Sequence, residues 1–207
     1  MPTRVPGVIL AGGLARRMGG GDKSLKLLGG RTILAHVIDR LRPQVSHMAL
    51  NANGDPARFA AYGLPVIADS LPDYPGPLAG VLAGLDWAAG QGADAIVTVA
   101  ADTPFFPMNL ASCLRAAAKT AGQPIALAAT PHPEGRQLRH PTFGLWPVAL
   151  RDDLRAALRQ GLRKIVLWTD AHGAANAPFD ADPYDPFFNL NTPEDMVSAE
   201  SILRTLS

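Results

Sequence analysis

The chain has 207 residues, 47% of them hydrophobic and 18% charged, with a formal net charge of +1 at pH 7. This composition excludes a disordered chain, and the small net charge predicts no nucleic-acid or membrane partner. The single cysteine, Cys113, excludes an intramolecular disulfide and predicts a cytoplasmic protein. No apolar run approaches the ~20 residues of a membrane helix, and we expect no signal peptide and one domain over residues 1–207.

Short apolar runs bounded by polar residues, Gly or Pro predict strands along most of the chain. These strands cover residues 7–11, 45–51, 64–68, 95–101, 125–129, 142–146 and 187–190. Apolar residues at helical spacing predict helices between them. These helices cover 32–42, 55–63, a stretch that starts at Gly76-Pro77, 107–120, 147–160, part of 161–172, and a last helix capped by Thr192; residues 130–137 are predicted to be an exposed loop. The alternation predicts a Rossmann-like, doubly wound, mostly parallel α/β sheet with helices on both faces.

A glycine-rich, cationic stretch, LAGGLARRMGGGDKSLK, follows the first strand at residues 10–26. Glycine lets backbone N–H groups approach a ligand, and N–H groups beside Arg and Lys bind anions, so the stretch predicts a polyphosphate site. It is not a Walker A loop, because Asp22 precedes Lys23-Ser24, and it is not a dinucleotide fingerprint, because Gly12 and Gly13 are adjacent. The alternative is a surface turn with solvated cations.

Polar residues follow three of the predicted strands: Asn51, Asp69 and Asp102. In doubly wound sheets, ligands bind beyond the carboxyl ends of the strands. Asp102 is either a Mg²⁺ ligand or the cap of an Asp-Thr-Pro turn. Asp69 is either a carboxylate that accepts hydrogen bonds from guanine N1–H and N2–H₂ or a simple turn residue.

The pattern LAGGxxxRMGxxDKxL resembles the nucleotide-binding signature of the molybdenum cofactor nucleotidyltransferases, and most closely that of the molybdenum cofactor guanylyltransferase family. The likeness continues through further motifs in the expected order and covers nearly the whole chain. These are Asn51, Asp69, YPGPLAG at 74–80, Asp102-Thr103-Pro104, His140-Pro141-Thr142 and Asn189-Leu190-Asn191-Thr192-Pro193. The resemblance implies a fold like that of the nucleotide-diphospho-sugar transferases.

Residue chemistry and the resemblance together assign roles to the site residues. The catalytic candidates are Arg17, Lys23, Asp102 and Asn191, with Asp102 as the Mg²⁺ ligand. The nucleotide-binding candidates are Leu10, Ala11, Gly12, Gly13, Gly20, Lys23, Asn51, Asp69 and Asp102. The candidates for the second substrate are Gly76, Gly80, Arg163, Asn189 and Asn191, with Arg139 and His140 as further possibilities. The sequence does not rank Arg16 against Arg17, and helix packing for Gly80, a solvated helix face for Arg163 and a helix cap for Asn191 stay open.

The expected activity is Mg²⁺-dependent transfer of GMP from GTP to the terminal phosphate of molybdopterin, with release of pyrophosphate. The resemblance implies GTP and the molybdenum cofactor as partners, with molybdenum-insertion proteins and recipient molybdoenzymes as further candidates. Two alternatives stay open. One is a cytidylyltransferase on the same cofactor, which shares the glycine loop, and the other is a carrier that binds nucleotide or cofactor without catalysis.

Overall fold

The structure is a computed structural model that describes residues 5–12, 22–71, 76–132 and 134–206. Within these ranges, seven strands form one sheet in the order β5-β4-β1-β6-β8-β7-β9, and β2 pairs with β3 in a separate hairpin. Strand β8 runs antiparallel to its neighbours β6 and β7, whereas the other pairs in the large sheet are parallel. The predicted doubly wound, mostly parallel sheet is confirmed.

The strands are β1 Gly7–Leu10, β2 Leu27–Leu28, β3 Arg31–Thr32, β4 Met48–Asn51, β5 Val66–Ile67, β6 Ala95–Ala100, β7 Ile125–Pro131, β8 Gln137–Pro147 and β9 Ala174–Pro178. The helices are α1 Ile33–Leu41, α2 Pro77–Ala89, α3 Leu110–Ala121, α4 Arg151–Arg159, α5 Ile165–His172 and α6 Pro193–Leu206. Short 3₁₀ turns lie at Lys23–Leu25, Arg42–Gln44, Pro56–Tyr62 and Val148–Leu150.

Helices cover both faces of the sheet. Helices α1 and α3 pack on one face through residues such as Leu34, Val37 and Leu114. Helices α2, α4 and α5 pack on the other through residues such as Leu82 and Trp168. A smaller cluster under α6 joins that helix to β2 and to the start of α1. Because both faces of the sheet are buried, the sequence of the central strand β6 is almost entirely apolar. This apolar run made the strand predictable from the sequence.

Local capping chemistry explains several element boundaries. Thr32 Oγ1 accepts a hydrogen bond from Ala35 N at 3.2 Å and caps α1 as predicted. Asp55 caps the 3₁₀ turn that begins at Pro56, and Gly63 ends it in the left-handed conformation. The predicted start and end of these elements are therefore confirmed, although the second element is a 3₁₀ turn and not an α-helix.

Three features differ from the prediction. The expected loop at 130–137 is shorter, because β7 continues to Pro131 and β8 already begins at Gln137. Strand β9 was missed, since the sequence AANAP lacks the β-branched and aromatic residues that mark strands. The hairpin of β2 and β3 was also missed, because its strands have only two residues each.

The predicted strand at 187–190 is wrong. Phe187 and Leu190 are buried, Phe188 is half-buried and Asn189 is exposed, so burial along the segment does not alternate as it does in a strand. The backbone forms no strand there. The N–H of Leu190 instead donates to the carbonyl of Asp102 at 3.0 Å. The segment is therefore a coil that two buried side chains anchor to the core.

No helix in the described ranges combines the length and the apolar character needed to cross a membrane.

The contact between α4 and α5 predicts a pH-dependent stability. Asp153 Oδ1 accepts hydrogen bonds from Trp168 Nε1 at 2.8 Å and His172 Nε2 at 2.7 Å. The hydrogen bond from the Trp168 indole is the largest cause that lowers the pKa of Asp153, and the hydrogen bond from His172 lowers the pKa further. A lowered folded-state pKa adds stability that is present above the unfolded pKa of about 3.9 and is lost as the pH falls through the folded value.

Asp153→Asn should therefore reduce the free energy of unfolding by about 1 kcal/mol at pH 7, a value discounted for the exposure of the carboxylate. The difference from the unaltered chain should shrink below pH ~4. Urea unfolding at pH 7 and below pH ~4 measures this difference in the free energy of unfolding. Asp180→Asn, at an exposed position after β9, is the control and should show the pH dependence of the unaltered chain. A pH-independent difference for Asp153→Asn would contradict the assignment.

Candidate functional site

Three residues that are distant in the sequence meet at the carboxyl edge of the sheet. Lys23 Nζ forms an ion pair with Asp102 Oδ2 and donates a hydrogen bond to Asn191 Oδ1 at 2.5 Å. Lys23 lies near the end of the glycine-rich stretch at 10–26, Asp102 follows β6, and Asn191 precedes α6. The side chains of Lys23 and Asp102 are only 12% and 25% exposed. The structure thus brings together three of the four predicted catalytic residues.

The turn after β6 is tied to the segment before α6 by a second set of contacts. Thr103 is fully buried, and its Oγ1 lies 3.2 Å from Asp102 Oδ1 and 2.5 Å from Asn189 Oδ1. The N–H of Leu190 donates to the carbonyl of Asp102 at 3.0 Å. These contacts fix the backbone directly before Asn191 relative to Asp102.

A capping box positions Asn191 from its other side. Thr192 Oγ1 accepts from Asp195 N at 3.2 Å, and Asp195 Oδ2 accepts from the N–H groups of Thr192 and Asn191, each at 2.8 Å. Thr192 is therefore the predicted cap of α6. The side chain of Asn191 is not needed for the cap, which leaves its amide oxygen for Lys23.

A second polar cluster surrounds Asp69. Asn51 Nδ2 donates to Asp69 Oδ1 at 2.9 Å, and Asn53 Nδ2 donates to Asp69 Oδ2 at 2.7 Å. The N–H of Asp69 returns a hydrogen bond to Asn53 Oδ1 at 2.9 Å. Each carboxylate oxygen of Asp69 accepts one of these bonds and retains a further lone pair, so the half-buried carboxylate can still accept donors from a ligand.

Gly80 lies in the first turn of α2, directly against Asn51. A Cβ on Gly80 would overlap Oδ1 of Asn51 and would lie 2.9 Å from Cδ2 of Leu10. The glycine therefore makes room for the Asn51 side chain, which is 3% exposed. This gives Gly80 a packing role on the Asp69 side of the site, while its predicted contact with the second substrate stays a prediction.

Gly76 precedes α2 and has a φ of +130°, a conformation that side chains rarely adopt. A Cβ on Gly76 or on Gly12 would meet no atom of the described residues within 4 Å. Ala11 extends β1, and its N–H donates to the carbonyl of Asn51 at 2.8 Å. The predicted residues Gly13, Arg17 and Gly20 lie outside the described residues.

Two arginines predicted to meet the second substrate lie on other elements than the Lys23 cluster. Arg163 lies in the exposed loop between α4 and α5, next to Leu162, which packs on the α2 face of the sheet. Arg139 contacts Asp170 at 2.5 Å and Asn176 at 2.7 Å. Contact of either arginine with the second substrate stays a prediction.

His140 is enclosed between a hydroxyl and an aromatic ring. Its Nε2 lies 2.8 Å from Thr130 Oγ1, and its ring stacks on Phe187 with centroids 4.3 Å apart. Burial lowers the pKa of His140, although the charge of Asp185 opposes this shift. A neutral His140 therefore anchors the coil that leads to Asn189 and Asn191.

The Lys23 cluster fits a magnesium ion. Asp102 offers one carboxylate, and Asn191 and Asn189 offer amide oxygens close to it. Mg²⁺ prefers oxygen ligands and is usually held by one or two carboxylates with phosphate and water. Within the described ranges, no group of three or more His, Cys, Asp or Glu side chains forms an all-protein metal cage. Binding of Mg²⁺ by Asp102 and the neighbouring amide oxygens stays a prediction.

Sequence reasoning missed Asn53 and Thr103. Both stand in short polar strings, Asn51-Ala52-Asn53 and Asp102-Thr103, at the ends of strands. The sequence analysis assigns a role only to the first residue of each string. In the structure Asn53 binds Asp69 alongside Asn51, and Thr103 contacts both Asp102 and Asn189.

A mostly parallel sheet with polar residues at its carboxyl edge and a glycine-rich sequence after its first strand is the arrangement of an α/β nucleotide-binding protein. The sequence profile of the MobA-like NTP transferase domain matches residues 7–174. This range includes Lys23, Asp69 and Asp102 and ends before Asn189 and Asn191.

Curated relatives match over nearly the whole chain. The molybdenum cofactor guanylyltransferase of Bradyrhizobium sp. (strain ORS 278) is 53% identical over 97% of this chain and 93% of its own. That of Rhodopseudomonas palustris (strain BisB5) is 52% identical over 95% and 93%. The solved structure of molybdopterin-guanine dinucleotide biosynthesis protein A from Archaeoglobus fulgidus is 25% identical, with a TM-score of 0.75 over 97% and 100%. The chain belongs to the MobA-like NTP transferase family, as its motifs predicted.

The contact between Gly80 and Asn51 predicts a non-additive mutation pair. Gly80→Ala should lower the free energy of unfolding by about 1–2 kcal/mol, because the overlap with Asn51 outweighs the better helix propensity of Ala. In an Asn51→Ala background the overlap is gone, so the same change should cost little or stabilise the chain. Denaturant unfolding of the four proteins measures the coupling.

Gly84→Ala is the matched control for this cycle. A Cβ on Gly84 would lie 2.8 Å from Ile96 Cδ1 and 2.9 Å from Val8 Cγ2, away from Asn51. Its cost should therefore be the same with and without Asn51→Ala. An equal cost for Gly80→Ala in both backgrounds would show that Asn51 is not what requires a glycine there.

Proposed function

We propose that this chain transfers GMP from GTP to the terminal phosphate of molybdopterin and releases pyrophosphate. The observation that carries the proposal is the meeting of Lys23, Asp102 and Asn191 at one edge of the sheet. Family membership and relatives at about half identity, which are named molybdenum cofactor guanylyltransferase, support it.

The reaction forms one P–O bond and breaks another. An oxygen of the molybdopterin phosphate attacks the α-phosphorus of GTP, and the bond from that phosphorus to the β-phosphate bridging oxygen breaks. Both reactants are anions, so the protein must neutralise charge and align the attack. No protein nucleophile is needed, since the acceptor phosphate itself attacks.

The chain's own residues divide this work. Lys23, with Arg17 and the backbone of the glycine-rich stretch, binds the triphosphate. Asn191 and Asn189 orient the attacking phosphate beside Asp102. Two contacts hold their segment there: the Leu190 N–H donates to the Asp102 carbonyl, and the Thr103 hydroxyl contacts Asn189 Oδ1. Asp102 would hold Mg²⁺, which when bound adds positive charge at the phosphates.

The Asp69 cluster would select the base. The Asp69 carboxylate is held by Asn51 and Asn53 and can accept N1–H and N2–H₂ of guanine, which cytosine and adenine do not present in this form. The cluster follows β5, and β4 and β1 lie between β5 and β6, whose end carries Asp102. The base and the phosphates would therefore bind at the same edge of the sheet, with two strand ends between them.

The remaining parts of the proposal rest on the sequence. They are the dependence on Mg²⁺, action in the cytoplasm, which the single cysteine favours, and exchange of the cofactor with molybdenum-insertion proteins and recipient molybdoenzymes.

The role of Asp102 predicts a loss of turnover without a loss of fold. Asp102→Asn removes the negative charge and keeps the shape, so pyrophosphate release with GTP and molybdopterin should fall on the order of 10²-fold. The concentration of Mg²⁺ that gives half-maximal rate should rise. Asp39→Asn, which breaks an exposed ion pair with Arg31, is the control and should leave the rate unchanged. Ordinary turnover of Asp102→Asn at ordinary Mg²⁺ would reduce Asp102 to a turn residue.

The role of Asp69 predicts altered base selection. ITP lacks the 2-amino group of GTP, so a site built around Asp69 should prefer GTP by roughly tenfold or more. Asp69→Ala should lower the use of GTP strongly and the use of ITP less, so the preference for GTP over ITP should decrease. Competition between GTP and ITP, in the unaltered chain and in Asp69→Ala, measures this preference. An unchanged ratio would assign base selection to the backbone of residues 10–12, and a preference of the unaltered chain for CTP would overturn the guanylyl assignment.

A further inference from the structure

Asp22 is the only acidic residue in the cationic sequence 10–26, and it lies directly before Lys23. Its side chain is 16% exposed, and Oδ2 lies 2.8 Å from Nε of Arg58. A carboxylate next to Lys23 would repel a bound polyphosphate unless its charge were compensated. Arg58, from the 3₁₀ turn at Pro56–Tyr62, provides that compensation.

The other edge of the Arg58 guanidinium contacts the base side of the site. Its Nη2 donates to the carbonyl of Asn53 at 2.5 Å, and its Cζ lies 4.8 Å from the ring centroid of Phe59. Phe59 is 1% exposed and belongs to the core on the α1 face. The guanidinium is therefore held by a carboxylate, a carbonyl and a fixed ring.

Asn53 passes this contact on to the proposed base-reading carboxylate. Its side-chain amide binds Asp69 twice, through Asp69 Oδ2 at 2.7 Å and Asp69 N at 2.9 Å. A continuous path of polar contacts thus leads from Asp22, next to Lys23, through Arg58 and Asn53 to Asp69. The path connects the phosphate side of the site with the base side. It begins next to Lys23 and ends at Asp69, the proposed base-binding group.

The turn at Gly54 is shaped around Arg58. Gly54 has a φ of +85°, and a Cβ there would lie 3.0 Å from Arg58 Nη1. A side chain at this position would be strained by the backbone and would also meet the guanidinium. The glycine therefore lets Arg58 reach both Asp22 and Asn53.

We infer that Arg58 is a positioning residue that neutralises Asp22 and fixes the spacing between the phosphate-binding and base-binding segments. The inference rests on the proposed function, because GTP defines both segments. Arg58 touches neither the reacting atoms nor the proposed metal ligand. It sets the affinity for the nucleotide and leaves the chemical step unchanged.

Two substitutions separate the charge of Arg58 from its hydrogen bond. Arg58→Met removes both, and Arg58→Gln keeps a donor for the Asn53 carbonyl but no charge. Each should raise KM for GTP about tenfold or more, because Asp22 is left uncompensated, with kcat within about threefold of the original. Adding Asp22→Asn to either variant should return KM to within about threefold of the unaltered value, since the repelling charge is gone.

The control is Arg31→Met, which breaks a 2.6 Å ion pair with Asp39 on the surface of α1 and should change neither constant. A purely structural Arg58 would instead lower the unfolding midpoint and kcat, and Asp22→Asn would not rescue KM. The inference is overturned if the folded variants give that result. It is also overturned if neither Arg58→Met nor Arg58→Gln changes KM for GTP. Turnover of the unaltered chain with GTP tests the proposed function separately. Its absence overturns the proposed function, whereas turnover without rescue overturns only the role of Arg58.

Discussion

The ion pair between Lys23 and Asp102 is the interaction on which the site depends. It joins Lys23, in the glycine-rich stretch, to Asp102, directly after the central strand β6, and both side chains are largely buried. Removal of either partner would leave a buried charge without compensation. Ligand binding must therefore give each partner a replacement, phosphate oxygens for Lys23 and a cation for Asp102. A nucleotide that arrives with its cation meets both requirements at once.

Most of the fold followed from local sequence signals. The run at Ala95–Ala100 is apolar on both faces because helices cover the sheet on both sides, and this pattern is visible without any tertiary information. Thr32, Asp55 and Thr192 cap their elements through hydrogen bonds to residues two or three positions away. The polar residues at strand ends could be grouped because the carboxyl ends of parallel strands share one edge.

The sequence failed where the deciding contacts are distant. The apolar residues Phe187, Phe188 and Leu190 predict a strand, but the N–H of Leu190 donates to the Asp102 carbonyl and the segment forms no strand. For Gly80 the sequence leaves helix packing and contact with the second substrate open, and only the structure shows that Asn51 fills the space against this glycine. Asp22 was recognised as an intruder in the glycine-rich stretch, but its partner Arg58 stands in another element and could not be found by spacing.

The hydrogen bond from Leu190 N–H to the Asp102 carbonyl links the sheet to the segment that carries Asn189 and Asn191. The strands from β1 to β8 lie within the family profile, whereas Asn189, Asn191 and helix α6 lie beyond residue 174. A main-chain hydrogen bond does not depend on which side chains stand at either end. Substitution of Asn189 or Asn191 would therefore change the side chains proposed to face the acceptor and leave this backbone contact in place.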